Sequence, residues 1–304
     1  MGIATWVSWS SGKDAAWTLN RLLDDDTVEL RGLLTTIDSS TGRVPFQGTG
    51  RDLLELQAAA TGLPLHVVEL PGEVDDEVWR REVGRALDQA REDGVEQVAY
   101  GDLHLADLRA WREEFVQAHG LRAVFPLWGE DTRVLAQEMI EGGLEARISC
   151  VDAQKLDAEL LGRPFDDAFL QALPDGVDWC GENGEFHSFV CAGPMLHDRF
   201  DVSFADPVEE RGFQLAEPVL AFPLDGTLDL HGIDPKQVGD LVDDWIDASR
   251  AAGIRHLRIV HGKGVGALRE TVHARLRRRK DVAGFRLGGS GEGGWGATLV
   301  ELEG

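Results

Sequence analysis

Apolar and polar positions alternate between two periods along the first 150 residues. Short apolar, β-favouring runs predict strands over 5–8, 29–36, 65–70, 97–100, 123–125 and 146–151. Between them, helical spacing of apolar residues predicts helices over 15–23, 51–60, 77–92, 108–119 and 133–141. This alternation implies an α/β fold, a Rossmann-like parallel sheet with helices on both faces. The loop after the opening strand then lies at the carboxyl edge of the sheet, where ligands of open α/β sheets bind.

The pattern breaks over 201–225, where Pro207, Pro218, Pro223 and Gly226 fall close together. That stretch reads as irregular, closing a first domain over 1–224. Within it, 1–127 is the expected nucleotide-binding half, 128–200 the substrate half and 201–224 a tail and linker. A smaller pattern follows over 225–304: strand 227–230, helix 235–252, strand 256–260, helix 265–279, and strands 284–287 and 297–302. Val238, Leu241, Val242, Trp245 and Ile246 form one apolar stripe on the first of these helices. A small two-layer α/β sandwich is expected there.

Composition adds electrostatics. The 304 residues carry a formal charge of −24, yet residues 225–304 balance 12 basic against 12 acidic side chains. The whole excess therefore lies before residue 225, and the two regions are expected to meet different partners. Overall acidity argues against nucleic-acid binding by the first region. The apolar share, 43%, argues against disorder. No apolar run reaches the length of a membrane span and no signal peptide is read at the start, so a cytoplasmic location is expected. Cys150, Cys180 and Cys191 suit neither a disulfide framework nor a cysteine zinc site.

Candidate chemistry begins at Ser10-Ser11-Gly12-Lys13-Asp14, between the first strand and the first helix. A helix N-terminus there would present N–H groups to an anion. Ser10 or Ser11 would donate hydroxyls to phosphate, and Lys13 would supply a point charge. Asp14 beside phosphate implies an intervening Mg²⁺. The plainer alternative is a polar turn with a capping serine. No Walker A pattern occurs.

This segment resembles the pyrophosphate loop of the N-type ATP pyrophosphatases, and the wider chain resembles the diphthine–ammonia ligase family over about residues 2–200. Further matching segments run from Gly48 through Leu63, then Tyr100-Gly101-Asp102-Leu103 with Leu105-Asp107-Leu108-Arg109. Cys150-Val151-Asp152 with Lys155-Leu156 also matches, as does Cys180-Gly181-Glu182-Asn183-Gly184-Glu185-Phe186-His187-Ser188-Phe189 followed by Gly193-Pro194-Met195. Two positions depart from the family loop: Ala15 stands where serine is usual, and Ser11 where many members have glycine. The resemblance implies that a carboxylate is adenylated by ATP, pyrophosphate leaves, and ammonia displaces AMP. A cation cradle would stabilise the charge that develops on pyrophosphate.

By the same resemblance the loop 181–187 holds the acceptor and ammonium. Glu185 is the candidate for binding or deprotonating ammonium, and His187 for orienting the activated carbonyl. Glu182, Asn183 and Gly184 are expected to contact the substrate. Without the resemblance the segment reads as a solvated turn. Gly101 and Asp102 end a strand at the same edge; Asp102 suits ribose or an outer Mg²⁺ shell, or a helix cap. Thr35, with Thr36, is a candidate wall for the adenine pocket.

In the second region, Leu228-Asp229-Leu230-His231-Gly232 and His261-Gly262-Lys263-Gly264-Val265-Gly266 end strands. The second motif is a glycine-rich loop opening a helix, suited to a nucleic-acid backbone. Arg269, His273, Arg277 and Lys280 would form a cationic stripe on that helix, with Leu268, Val272 and Leu276 beside it facing the core. Trp295, in Glu292-Gly293-Gly294-Trp295-Gly296, suits stacking on a base. These motifs resemble the Smr (small MutS-related) domain over nearly all of 227–303, which implies nucleic-acid binding and, in several members, nicking. Asp229, His231, His261 and Lys263 would then be the participants. A solvated basic face with ordinary glycine turns is the alternative.

The leading expectation is an AMP-forming amide ligase using ATP, Mg²⁺ and ammonium, with an Smr nucleic-acid module. An RNA-modifying enzyme that adenylates a base carbonyl, and an ATP sensor regulating an Smr endonuclease, are the competing expectations.

Overall fold

A computed structural model describes residues 2–72, 75–221, 226–230, 233, 235, 238–262, 266–289 and 292–303. It forms two compact units, Met1–Leu220 and Ala221–Gly304.

The first unit opens with β1 (Ile3–Ser8), α1 (Lys13–Leu23), β2 (Val28–Asp38), α2 (Arg51–Thr61), β3 (Leu65–Leu70), α3 (Asp76–Glu92), β4 (Gln97–Ala99), α4 (Ala106–Ala118) and β5 (Arg122–Val124). These strands form a parallel sheet in the order β3-β2-β1-β4-β5. The order reverses at β1, so a crevice opens beyond its carboxyl end. Alternate residues of the central strands feed two cores. Val7, Leu33 and Ile37 pack with α1 and α2, while Trp6, Leu34 and Val98 pack with α3 and α4. Helix starts follow local chemistry. Asp75 caps α3 by accepting from the Val78 N–H, and Gly62 ends α2 in the left-handed region, φ 75°.

The chain continues through α5 (Thr132–Glu141), β6 (Glu145–Asp152), α6 (Asp167–Ala172), β7 (Phe186–Ala192), β8 (Val202–Phe204), β9 (Val208–Glu210), β10 (Phe213–Leu215) and β11 (Pro218–Leu220). Here the structure corrects two expectations. The strand expected at 146–151 does not extend the parallel sheet. As β6 it pairs antiparallel with β7 and β10, in a separate sheet ordered β7-β6-β10-β9. The stretch expected to be irregular carries four short strands. Two prolines sit where ladder donors are not needed, Pro207 just before β9 and Pro218 at the first residue of β11; Pro223 lies outside the described residues. Beneath both sheets a single core runs from Val7 and Trp17 to Ile148, Phe169, Phe186 and Phe189.

The second unit holds β12 (Thr227–Asp229), α7 (Val238–Ala251), β13 (His256–Val260), α8 (Ala267–Leu276), β14 (Val282–Leu287) and β15 (Ala297–Leu302). Its mixed sheet has the order β12-β13-β15-β14. Both helices share one core with it, through Val238, Val242, Trp245, Ile246, Val272 and Leu276. Arg279, just beyond α8, ties that end to α7 by ion pairs with Asp243 and Asp247.

Candidate functional site

The motif after β1 starts α1 at the carboxyl edge of the sheet. Gly12 is the N-cap residue, extended at φ −88° and ψ 169°, and Lys13 and Asp14 open the helix. Gly101, after β4, packs on the Asp14–Ala15 peptide: a Cβ there would lie 2.9 Å from the Asp14 carbonyl carbon. Glycine at 101 is thus a close-approach requirement.

Ser11 and Lys13 do not sit as expected. Ser11 is fully buried and adopts φ 70°. Its hydroxyl shares a 2.6 Å hydrogen bond with Thr49, and its carbonyl accepts from the Val190 N–H and Gln57 Nε2. It faces the protein interior, not a phosphate. Lys13 is 2% exposed. Its ammonium donates to Asp14 Oδ2 at 2.8 Å and to the Cys180 carbonyl, over the rings of Phe165 and Phe186. The aliphatic stem is long enough to cross the helix start, and a carbonyl plus a carboxylate outbid solvent for the charge. Burial alone would lower the Lys13 pKa; Asp14, by charge and hydrogen bond, together with the neighbouring Cys180 and Glu182, outweighs it and holds the ammonium above its ordinary value. Burial also raises the Asp14 pKa, against the pull of Lys13. Ser10 is half-buried, and its hydroxyl accepts from the Gly12 N–H at 3.4 Å. Asp14 Oδ1 is buried without a hydrogen-bond partner. Among the described residues no group of three or more metal-binding side chains could hold a metal ion. An Mg²⁺ ion here would rest on Asp14 Oδ1 and take its other oxygens from phosphate and water.

The loop 181–187 reaches this site through Lys13, but most of its polar groups are satisfied within the protein. Glu185 is 3% exposed, and its carboxylate accepts from the Asn183 N–H, Asn183 Nδ2 and the Asp178 N–H. It clasps its own turn, which Gly181 and Gly184 permit at φ 71° and 78°. Glu182 accepts from the N–H groups of Leu103 and His104, tying this loop to the one after β4. Burial raises its pKa against those two bonds. Asn183 is exposed. Of the residues expected to contact acceptor and ammonium, Glu182 and Glu185 are thus engaged by partners within the protein, while Asn183 stays exposed. His187 does face Gln47, whose Nε2 lies 3.5 Å from Nδ1, and its ring centroid is 6.4 Å from that of Phe46. Burial, then the Lys13 charge, push its pKa down to about 4.

Asp102 caps no helix: the α4 cap position is Leu105. Its carboxylate meets Arg112 Nε at 2.8 Å, in an ion pair too bent for a hydrogen bond. Thr35 is buried on the face of β2 shared with Leu33 and Ile37. Its neighbour Thr36, on the opposite face, lines an open cavity instead. Sequence reading noted a glutamine in the matching segment, Gln57, but gave it no role. It is fully buried and bonds Trp9, Ser11 and Val190 at once, joining the residue that follows β1, the phosphate loop and β7. Its place in the matching segment 48–63 was the available signal.

In the second unit, His231, Lys263 and Gly264 lie outside the described residues. His261 is 6% exposed, with Nδ1 3.2 Å from the Gly262 carbonyl and Nε2 2.9 Å from Thr298 Oγ1. His273 Nε2 meets the same Thr298 oxygen at 2.9 Å, and its ring lies tilted against Phe285, centroids 4.9 Å apart. Burial lowers both imidazole pKa values. Both rings turn to Thr298, and His273 is half-buried there. Arg269 is half-buried beside Glu270 at 3.3 Å; Arg277 and Lys280 are exposed at and beyond the end of α8. Gly262 adopts φ 74° and donates to the Gly296 carbonyl. Asp229 is exposed at the end of β12, and Trp295 is 74% exposed. No helix among the described residues is long and apolar enough to cross a membrane.

Comparison with known proteins matches three stretches of the chain to family descriptions. The diphthamide synthase N-terminal domain matches residues 3–123, the diphthamide synthase C-terminal domain 131–216, and the Smr domain 228–303. Endonuclease MutS2 of Brevibacillus brevis is 45% identical over 76 residues, 25% of this chain and 10% of its own. Endonuclease MutS2 of Clostridium botulinum is 41% identical over 80 residues, 26% of this chain and 10% of its own. This chain thus spans about a tenth of the length of the curated relatives it matches. The solved Smr domain of Thermus thermophilus MutS2 is 41% identical, covering 26% of this chain and 98% of that one, with a TM-score of 0.25. YdaL of Escherichia coli, a stand-alone small MutS-related protein, is 27% identical over 28% of this chain and 69% of its own, with a TM-score of 0.26. The first two domains imply an ATP-using, ligase-type function, and the third implies nucleic-acid binding. The chain therefore carries a diphthamide synthase N- and C-terminal domain pair followed by an Smr domain.

Proposed function

We propose that the first unit is an AMP-forming ligase. It adenylates a carboxylate or carbonyl acceptor with ATP, releases pyrophosphate, and passes the acyl group to ammonia. The second unit binds nucleic acid, and the whole protein acts in the cytoplasm. One observation carries the ligase reading: the N-terminus of α1 opens beyond the switch point of the parallel sheet, with Asp14 Oδ1 buried and unpartnered beside the buried Lys13 ammonium.

In this reading the acceptor oxygen bonds to the α-phosphorus as the bond to the β-phosphate bridging oxygen breaks. Main-chain N–H groups at the start of α1, with the Ser10 hydroxyl, take the charge growing on pyrophosphate. Lys13 acts from beneath, its charge setting the potential of the loop while it holds the Cys180 turn against α1. Mg²⁺, resting on Asp14 Oδ1, would neutralise phosphate charge. His187, neutral and facing Gln47, can accept a proton from the attacking ammonia; AMP then leaves with the carbonyl carbon–oxygen bond broken.

The test is AMP and pyrophosphate formation by the whole protein with Mg-ATP, ammonium and fractionated small-molecule extract, followed by ¹⁵N incorporation from labelled ammonium. Acceptor-dependent AMP with ¹⁵N in the product supports the ligase; AMP without ¹⁵N supports adenylation with another nucleophile. The inward-facing Ser11 and Lys13 favour a second reading, an ATP sensor acting on the Smr unit. ATP binding with no AMP at any acceptor, and nucleic-acid binding or nicking that responds to ATP, would establish that reading and sink the first.

A further inference from the structure

Gln47 touches both the phosphate loop and His187, and its amide is only half satisfied. The residue is 9% exposed. It presses on the N-cap of α1: a Cβ on Gly12 would lie 3.2 Å from Gln47 Nε2 and 3.3 Å from Gln47 Oε1. Gln47 Nε2 is also 3.5 Å from His187 Nδ1, while Gln47 Oε1 is buried with no hydrogen-bond partner. The surrounding turn is wound to hold the amide there. Phe46 and Gly48, on either side, both adopt left-handed backbone, at φ 61° and 72°. Phe46 is bulky, so this conformation is strained, and such strain gathers where a side chain must be aimed. The Gly48 N–H donates to the Val44 carbonyl, and the Val44 N–H to the Thr49 carbonyl. The turn 44–49 is thereby fastened on the phosphate loop, with Thr49 bonded to Ser11 and Gln47 packed on Gly12.

An amide can sit in this space in two ways, because its oxygen and nitrogen are alike in size and opposite in hydrogen bonding. With the nitrogen toward His187, Gln47 donates to His187 Nδ1, and the neutral ring carries its proton on His187 Nε2. Gln47 Oε1 then lies unpaired beside the positive end of α1, which favours an oxygen there over an N–H group. A phosphate on the first turn of α1 reverses that preference. Its oxygens repel Gln47 Oε1 and accept from N–H donors. Turned through 180°, the amide donates to a phosphate oxygen, and Gln47 Oε1 accepts from His187 Nδ1–H. Both ends of the buried amide then have partners, as buried polar groups require.

We propose that Gln47 is a positioning residue that couples nucleotide binding to the tautomer of His187. With a nucleotide phosphate at the start of α1, Gln47 holds the proton on His187 Nδ1, and His187 Nε2 presents its lone pair. His187 Nε2 is then the atom that takes a proton from ammonia as the ammonia nitrogen bonds to the activated carbonyl carbon. The bond from that carbon to the AMP oxygen breaks, and AMP leaves with the electron pair. Without nucleotide, His187 Nε2 carries the proton and the base is disarmed. The catalytic consequence rests on the ligase reading above; the turn of the amide requires only a nucleotide phosphate bound at α1.

The test uses the whole protein, labelled with ¹⁵N, and the magnesium complex of α,β-methylene-ATP, which cannot be split between its α- and β-phosphates. Long-range ¹H–¹⁵N spectra report which nitrogen of His187 carries the proton, with its signals assigned by their loss in His187→Gln. The expected result is a proton on His187 Nε2 in the free protein and on His187 Nδ1 in the complex. Gln47→Met keeps the volume and removes both hydrogen-bonding groups. Its His187 tautomer stays the same with and without nucleotide, and it binds the analogue about tenfold more weakly, for one lost bond to a charged group. Gln47→Glu, when ionised, can only accept, so it holds the proton on His187 Nδ1 in both states, which packing alone would not produce. That variant also decides the matter if Gln47→Met fails to fold. An unchanged tautomer when wild type binds the analogue, or a full change in Gln47→Met, overturns the proposal. Failure of wild type to bind the analogue overturns it together with the ligase reading. The tautomer change without AMP formation from ATP at any acceptor upholds the coupling and sinks the ligase alone.

Discussion

The Lys13 ammonium donates to the main-chain carbonyl of Cys180, 167 residues further along the chain. One buried cation thereby links the start of α1 to the turn 181–187, and the phosphate loop cannot move without that turn. With Asp14 as its second partner, Lys13 is both a structural tie and the fixed charge beneath the candidate nucleotide.

Lys13→Ala should be costly for two separable reasons. It removes the tie and leaves the Asp14 carboxylate facing an uncharged interior, a loss of ~2–4 kcal/mol in a denaturant titration. A double variant, Lys13→Met with Asp14→Asn, keeps the volume and removes both charges. It should recover most of the stability and none of the ATP-dependent AMP formation. Recovery of activity along with stability would show that the charges serve folding alone.

His187 makes stability pH-dependent. Its folded pKa, about 4, lies below the ordinary 6.5, so the unfolded chain takes up a proton first as pH falls. The contribution is complete above about 6.5 and is lost as pH falls to about 4, amounting to ~3 kcal/mol over that window. His187→Gln should flatten the fall in unfolding free energy between those limits. An unchanged slope would mean that the imidazole is not held neutral.

Ser11 occupies left-handed backbone at φ 70°. Ser11→Gly relieves strain of about 1–2 kcal/mol but strands the buried Thr49 hydroxyl, costing about the same. The single change should be close to neutral. Ser11→Gly with Thr49→Val removes both hydroxyls and should stabilise by about 1 kcal/mol. Equal stability of the single and double variants would show that the Ser11–Thr49 bond contributes nothing.

Thr298 joins two imidazoles with one hydroxyl. The Gly262 carbonyl can only accept, so His261 carries its proton on Nδ1 and its Nε2 accepts from Thr298; His273 then donates from Nε2. Long-range ¹H–¹⁵N spectra should show those opposite tautomers. Thr298→Val should cost ~2 kcal/mol by leaving Nε2 of both rings without a partner, and Thr298→Ser should restore most of it. The same tautomer at both histidines would refute the assignment.

The acidic excess before residue 225 predicts a salt response. Raising KCl to about 1 M should increase the melting temperature of the whole protein by screening self-repulsion. Nucleic-acid binding through the second unit should instead weaken steadily with salt, as phosphate contacts do. Affinity that does not fall with salt would argue against contacts from Arg277 and Lys280.

Much of the fold is legible in local pattern. Helices α1 to α5 and strands β1 to β5 follow from period and flanking residues, because each buries one face or lies fully inside a sheet. The glycine motifs also mark real loop and turn positions, since left-handed angles at Gly181, Gly184 and Gly262 leave few alternatives to glycine. Two things escape such reading. β6 has the composition of any buried strand, and only its distant partners, β7 and β10, place it in a second sheet. The short strands after Asp201 are too brief and proline-rich to declare themselves without a neighbour.

The sequence by itself determined the alternation of elements, the place of the loop 10–14 before α1, the division of charge, and the motifs of both regions; these depend on neighbours a few residues apart. Tertiary structure decided where the charged side chains of those motifs point. Lys13, Glu185 and His261 each turn inward because a carbonyl, an amide or a hydroxyl, often far along the chain, offers a better partner than water. It also gathered Phe46, Arg211 and Phe213 around one cavity, which no spacing along the chain could announce.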